Sequence, residues 1–79
     1  MMRSIPLAMA EVGEKISIQF VAGGRGLQQR LVSMGLNVGS EIEVIGKGAF
    51  GPVLITTGDT RLAIGAGMAE KIMVSPLNP

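Results

Sequence analysis

The chain has 79 residues, so it can form one small domain with a thin core and no enclosed substrate cleft. Seven basic and six acidic side chains leave a net charge of +1, too weak an attraction for us to expect nucleic acid as a partner. Neither histidine nor cysteine is present, which removes the commonest general base, the commonest transition-metal ligand and every thiolate.

The apolar segments are short and are bounded by glycine, proline, asparagine or aspartate, which is typical of a small barrel or sandwich. The first, residues 5–10, contains Pro6 and is far shorter than the roughly 20 residues of a membrane-spanning helix. We therefore expect no direct membrane insertion. Residues 15–20 then alternate polar and apolar, which predicts a strand with Ile18 and Phe20 on the same face.

Residues 26–34 depart from the strand pattern and predict a short helix. Its apolar positions are spaced at i, i+4 and i+7, on one helical face: Leu27, Leu31 and Met34. Gly35 then predicts a left-handed residue that ends the helix, and Leu36 can fold back against the last turn. A helix this short is not stable alone in water, so packing of its apolar face must hold it.

Alternation or β-branched runs predict four further strands, at residues 41–44, 53–57, 61–64 and 71–74. A turn at 57–60 and a second short helical turn at 67–70 complete the pattern. We expect the tail, residues 75–79, not to continue the sheet, because proline lacks an amide donor.

Five short strands with one helix inserted after the first predict a mostly β chain, folded as an SH3-like or OB-like small barrel. We expect a single domain over residues 1–79, with its core at about 4–74 and a C-terminal tail at 75–79. Such barrels serve as binding platforms more often than as enzymes, although the fold alone does not give the function.

The residue types leave no catalytic group, cofactor site or metal site that we would predict. Residues 23–26, GGRG, resemble a phosphate-binding loop, but a sharp turn from a strand into a helix also requires glycine, and the P-loop pattern is missing. Glu41 and Glu43 share a strand face, which a solvated outer surface explains better than an acid–base pair. The six methionines lack a metal-binding spacing and are interpreted as adaptable core residues.

Phe50 is one of only two aromatic residues and lies in a glycine-rich turn between two predicted strands. A lone aromatic side chain at a loop tip is either an anchor for a partner or a cover for one end of the barrel. The sequence leaves both interpretations open.

Taken together, several segments resemble the FeoA family of small ferrous iron transport accessory proteins. Residues 30–39, RLVSMGLNVG, resemble the family's helix and turn R-L-x-x-M-G-L-x-x-G. Residues 51–53, GPV, resemble its entry into the central strand, and residues 61–74, RLAIGAGMAEKIMV, resemble its ending R-L-A-[LI]-G-x-x-M-A-x-x-I-x-V. The resemblance spans about residues 4–74, nearly the whole chain.

This resemblance implies an SH3-like barrel and a non-enzymatic role in the cytoplasm, at the inner face of the membrane only through a partner. The implied partner is FeoB, a large membrane protein with a GTPase domain that moves Fe(II) inward. If this role holds, we expect the docking surface to be the exposed side of the helix and the loop between the second and third predicted strands: Gln28, Gln29, Arg30, Lys47 and Phe50. We assign packing or backbone roles to a second set: Leu27, Leu31, Met34, Gly35, Leu36 and Gly39.

Some alternatives remain open at this point. Transition metal ion binding is ascribed to the family, whereas the residues themselves predict no metal site. Similar barrels occur in iron- and manganese-dependent repressors, so a module that senses a peptide or a metal is one alternative. A nucleic-acid-binding small barrel is another. The sequence also leaves open whether the chain forms a homo-oligomer.

Overall fold

The computed structural model describes residues 4–77, and in these residues it has six β-strands, two α-helices and one 3-10 turn. The elements are, in chain order, β1 Ile5–Pro6, the 3-10 turn Leu7–Met9, β2 Lys15–Val21, α1 Arg25–Ser33, β3 Glu41–Lys47, β4 Val53–Thr57, β5 Thr60–Ile64, α2 Ala66–Ala69 and β6 Ile72–Pro76.

The strands form one antiparallel sheet in the order β1-β6-β2-β3-β4-β5. This arrangement is the predicted mostly β, SH3-like small barrel with a short helix inserted after an early strand. The sheet has one strand more than the five that the sequence predicts. The additional strand, β1, has only two residues, which is too short to show a periodic pattern.

The prediction that the tail would not continue the sheet is wrong for Ser75 and Pro76. Both residues belong to β6, where Ser75 lies opposite Ser17 and Pro76 lies opposite Ile16 of β2. Proline is tolerated because β1 pairs only with Met73 and Val74, so β6 is an edge strand at Pro76 on the side away from β2. The amide of Leu77 continues the pairing with β2 and donates to the Lys15 carbonyl at 3.0 Å. Asn78 and Pro79 lie outside the described residues.

The core is aliphatic and fills the inner face of the curved sheet. Its fully or almost fully buried members include residues from every strand except β1: Ile16, Ile18, Ile42, Val44, Val53, Ile55, Ile64, Ile72 and Val74. Leu31 of α1 and Ala69 of α2 join the same cluster, so both helices are held by burial against one core.

The prediction that Phe20 shares a face with Ile18 is wrong. The β2–β6 register shifts between these two residues, which is a β-bulge with Gln19 as the additional residue. A bulge reverses the alternation of the side chains beyond it and bends the strand. Ile18 is therefore buried, whereas Phe20 is half exposed. A second bulge in β3, at Ile45, bends the neighbouring strand.

Candidate docking surface

Helix α1 presents a polar side to solvent and buries its apolar side. Leu31 is 2% exposed and Leu27 and Met34 are partly buried, in agreement with their spacing. Gln28, Gln29 and Arg30, the residues implied in docking, are all exposed. The helix is therefore anchored by one face, and the opposite face is available to a partner.

The chain leaves α1 through a turn that satisfies its last carbonyl groups. Gly35 has φ 86, its amide donates to the Val32 carbonyl at 2.9 Å, and the amide of Leu36 donates to the Leu31 carbonyl at 2.8 Å. This pair of hydrogen bonds is the Schellman motif, in which glycine occupies the left-handed position without a steric penalty. Leu36 is buried beside this turn, so residues 34–36 fix the direction of the chain after the helix.

The β3–β4 loop, residues 48–52, is called the hairpin tip below. The amide of Gly51 donates to the Gly48 carbonyl at 3.3 Å, which closes a four-residue turn with Ala49 and Phe50 in its centre. Phe50 has φ 69 and is the only non-glycine residue with positive φ among residues 4–77. Its side chain is 100% exposed. Phe50 therefore does not cover an end of the barrel, and its role as an anchor for a partner stays a prediction.

Lys47 lies at the end of β3, just before the hairpin tip. It pairs with buried Val53, and its Nζ donates to the carbonyl of Ala8 in the 3-10 turn at 3.0 Å. The ammonium group thus links the β3–β4 hairpin to the segment after β1. Lys47 therefore has a structural contact, and its docking role stays a prediction.

Helix α2, which the sequence predicts as a mere turn, joins the two parts of the implied docking surface. On one side, Gly51 of the hairpin tip packs so closely on Ala66 that a Cβ on Gly51 would lie 2.8 Å from the Ala66 Cβ. On the other side, Arg30 of α1 lines a groove together with α2 residues. Arg30 and the hairpin tip are therefore brought to the same short helix, whereas Gln28 and Gln29 do not line this groove.

The groove between the two helices, called the α1–α2 groove below, has a volume of about 610 Å³. Its lining comprises Gly23, Leu27, Arg30, Gly67, Met68, Glu70 and Lys71. The amide of Ala22 donates to the Lys71 carbonyl at 2.7 Å, which fixes the start of the α1 segment against the end of α2. Sequence reasoning did not include the α2 residues in the surface. The signal that could have indicated them is Gly67, a glycine inside a helical turn.

The other candidate features do not assemble a reactive centre. Glu41 and Glu43 lie on β3 opposite Ser17 and Lys15, and with Lys15 they line a shallow pocket of about 210 Å³. Glu41 is exposed, as expected of an outer strand surface. Within residues 4–77, no three acidic side chains come together in a way that could hold a metal ion.

The helices in the described residues do not meet the requirements of a membrane span. Neither α1 nor α2, nor any other helix in residues 4–77, is long and apolar enough to cross a membrane. The longest of them, α1, has nine residues.

Comparisons with known proteins agree with the fold and with the motifs in the chain. Residues 5–76 match the FeoA domain family. A Methanocaldococcus jannaschii protein assigned as Fe(2+) transport protein A is 49% identical over 69 residues, which are 87% of this chain and 83% of that protein. The crystal structure of an iron uptake regulatory protein, FeoA, superimposes with a TM-score of 0.82 at 36% identity and covers 95% of this chain and 99% of that one. A manganese-dependent transcriptional repressor shares the fold alone, with a TM-score of 0.86 at 16% identity over 98% of this chain and 44% of that one.

Proposed function

Because this chain belongs to the FeoA family, we propose that it is a non-enzymatic accessory protein of ferrous iron transport that docks onto the membrane GTPase transporter FeoB. Docking takes place in the cytoplasm, and the chain reaches the inner face of the membrane through this partner. The contact surface is the hairpin tip together with the exposed side of α1.

The observation that carries this proposal is the state of Phe50. A bulky residue in the left-handed region costs roughly 1–2 kcal/mol relative to its usual conformations. A fully exposed aromatic ring gains nothing from burial that would offset this cost. Phe50 thus stabilises neither the backbone conformation of the turn nor the core. A role as an aromatic anchor, inserted into a pocket of the partner, would account for its presence.

Docking can influence transport only if the chain binds two states of the transporter with different affinities. A protein that binds both states equally shifts no equilibrium, however tightly it binds. We therefore propose that Phe50 and Arg30 contact a part of the transporter that rearranges during the GTPase cycle. The same contacts then make the affinity depend on the nucleotide.

The test is co-purification of this protein with the solubilised transporter, in the apo state and with GDP or a GTP analogue. Wild type is expected to be retained, and Phe50→Ala and Arg30→Glu are expected to reduce retention at least tenfold. Phe20→Ala is the matched control, because Phe20 is the other phenylalanine of the chain and is half exposed on β2. Circular dichroism checks that every variant is folded.

Two results would count against the proposal. If wild type is not retained under any nucleotide condition, direct docking is wrong. If Phe50→Ala and Phe20→Ala reduce retention equally, the hairpin tip is not the anchor and another surface has to carry the contact.

A further inference from the structure

The α1–α2 groove contains a glycine that the fold does not explain. Gly67 lies inside α2, its φ is not positive, and a Cβ at this position would meet no atom within 4 Å. Glycine in a helix is less stable than alanine, because it loses more conformational freedom on folding. Neither the backbone conformation nor the packing of this chain therefore requires the absence of a side chain at Gly67.

Two other glycines, Gly51 and Gly23, differ from Gly67 because a side chain at either position would meet neighbouring atoms. At Gly51 a Cβ would approach the Ala66 Cβ to 2.8 Å, and at Gly23 it would overlap the Leu27 side chain. At Gly51, where φ is also positive, a side chain would collide with the Ala66 Cβ, and at Gly23 the Leu27 side chain would have to move. At Gly67 the space is open, and it opens into the groove that Gly67 lines. A backbone from another molecule can approach α2 closely at this point.

The groove combines apolar and cationic side chains. Leu27 and Met68 are partly buried, so each presents apolar surface in the groove, and methionine adapts its shape to different occupants. Arg30, Lys71 and Glu70 are exposed around them and together carry one net positive charge. This combination favours an occupant with an aliphatic side chain and flanking carboxylates.

We propose that the α1–α2 groove binds a short acidic peptide segment of a partner protein. An aliphatic side chain of the segment packs between Leu27 and Met68, its backbone passes over Gly67, and its carboxylates lie beside Arg30 and Lys71. The groove is open to solvent, so a segment of another chain can enter it from the surface. This proposal goes beyond docking through the hairpin tip, because it holds whichever protein supplies the segment.

The test is an NMR titration of the ¹⁵N-labelled chain with the capped peptide acetyl-Glu-Leu-Leu-Glu-Glu-amide. We expect saturable shifts of the backbone amides of Leu27, Gly67 and Met68. The charge-reversed peptide, in which lysine replaces glutamate, is expected to bind at least tenfold more weakly. Equal affinity for the two peptides would overturn the acidic assignment, and wild type without saturable shifts at these amides would overturn the site.

A steric variant with a matched control tests the location of the peptide. Gly67→Leu fills the groove and is expected to weaken binding at least tenfold. Gly26→Leu is the control, because Gly26 is also a helical glycine with no atom within 4 Å of its Cβ position, but it does not line the groove. If both variants bind the peptide as tightly as wild type does, the groove is not the site.

A charge variant keeps the test valid if Gly67→Leu does not fold. Lys71→Gln is expected to weaken binding about threefold at low salt, and Lys15→Gln, which lines the shallow pocket on β3 and not the groove, is expected to leave it unchanged. Equal effects of the two variants would overturn the assignment of Lys71. These titrations contain no transporter, so failure of co-purification and failure of the groove are separate results.

Discussion

The end of α1 and the hairpin tip use the same unusual backbone conformation with opposite choices of residue. At the end of α1, glycine has φ 86, and the next residue, Leu36, is buried. At the hairpin tip, Phe50 has φ 69, and its ring is fully exposed. At the end of α1, both the left-handed glycine and the buried Leu36 stabilise the fold. At the hairpin tip, Phe50 adopts an unfavourable backbone conformation and gains no burial in return. This difference is the basis of our proposal that Phe50 is a docking anchor.

The largest expected effect comes from removing the buried side chain at the end of α1. Leu36→Ala leaves a cavity in the core and is expected to lower the free energy of unfolding by about 2–5 kcal/mol. Urea denaturation followed by circular dichroism measures the change. Val38→Ala is the control, because Val38 is 55% exposed and its loss should change stability by less than about 0.5 kcal/mol. Equal effects of the two substitutions would contradict the conclusion that Leu36 stabilises the fold through its burial.

The next effect concerns the glycine itself. Gly35→Ala places a Cβ in the left-handed region and is expected to lower the free energy of unfolding by roughly 1–2 kcal/mol. The same substitution at Gly26, inside α1, should raise stability, because its φ is not positive and alanine favours helix. Unchanged stability of Gly35→Ala in urea denaturation would show that the left-handed backbone conformation at this position does not require glycine.

The opposite sign is expected at the hairpin tip. Phe50→Asn should raise the free energy of unfolding by about 1 kcal/mol, because asparagine tolerates the left-handed region and no burial is lost. The same variant should lose retention on the transporter. A gain in stability together with a loss of binding would support the view that Phe50 serves binding and not the fold. A loss of stability would instead show that the ring contributes to the fold.

The smallest effect is expected at Gly67. Gly67→Ala should raise the free energy of unfolding by about 0.5–1 kcal/mol, because a Cβ in α2 meets no neighbouring atom and alanine is a better helix former. The change is measurable as an increase in the urea midpoint at constant slope. A decrease would mean that the fold itself requires glycine there, as it does at Gly35.

Local patterns in the sequence predict the parts of the fold that local interactions determine. The spacing of Leu27, Leu31 and Met34 predicts α1, which the structure shows at Arg25–Ser33. A bulge, in contrast, depends on how two strands pair, so the exposed position of Phe20 could not be predicted from alternation alone. A two-residue strand such as β1 exists only because β6 lies beside it.

The candidate docking surface was also predictable only where it depends on local sequence. Phe50 was a candidate because a lone aromatic residue in a glycine-rich turn is visible in the sequence, but its exposure depends on the closure of the turn. The α1–α2 groove was not predictable in this way. It forms only when residues 23–30 and 67–71, which are distant in the chain, come together in the folded state.

The position of β6 has a consequence for the order in which the chain folds. β6, near the carboxyl end of the described residues, is paired with β1 on one side and β2 on the other, and both of these strands lie near the amino end. During synthesis from the amino end, β2 can pair with β3 first, but its pairing with β6 must wait until residues 72–76 have left the ribosome. Pairings between distant segments also slow folding, because the intervening chain must first be closed into a loop. The edge of β2 that receives β6 thus stays unpaired until residues 72–76 are available.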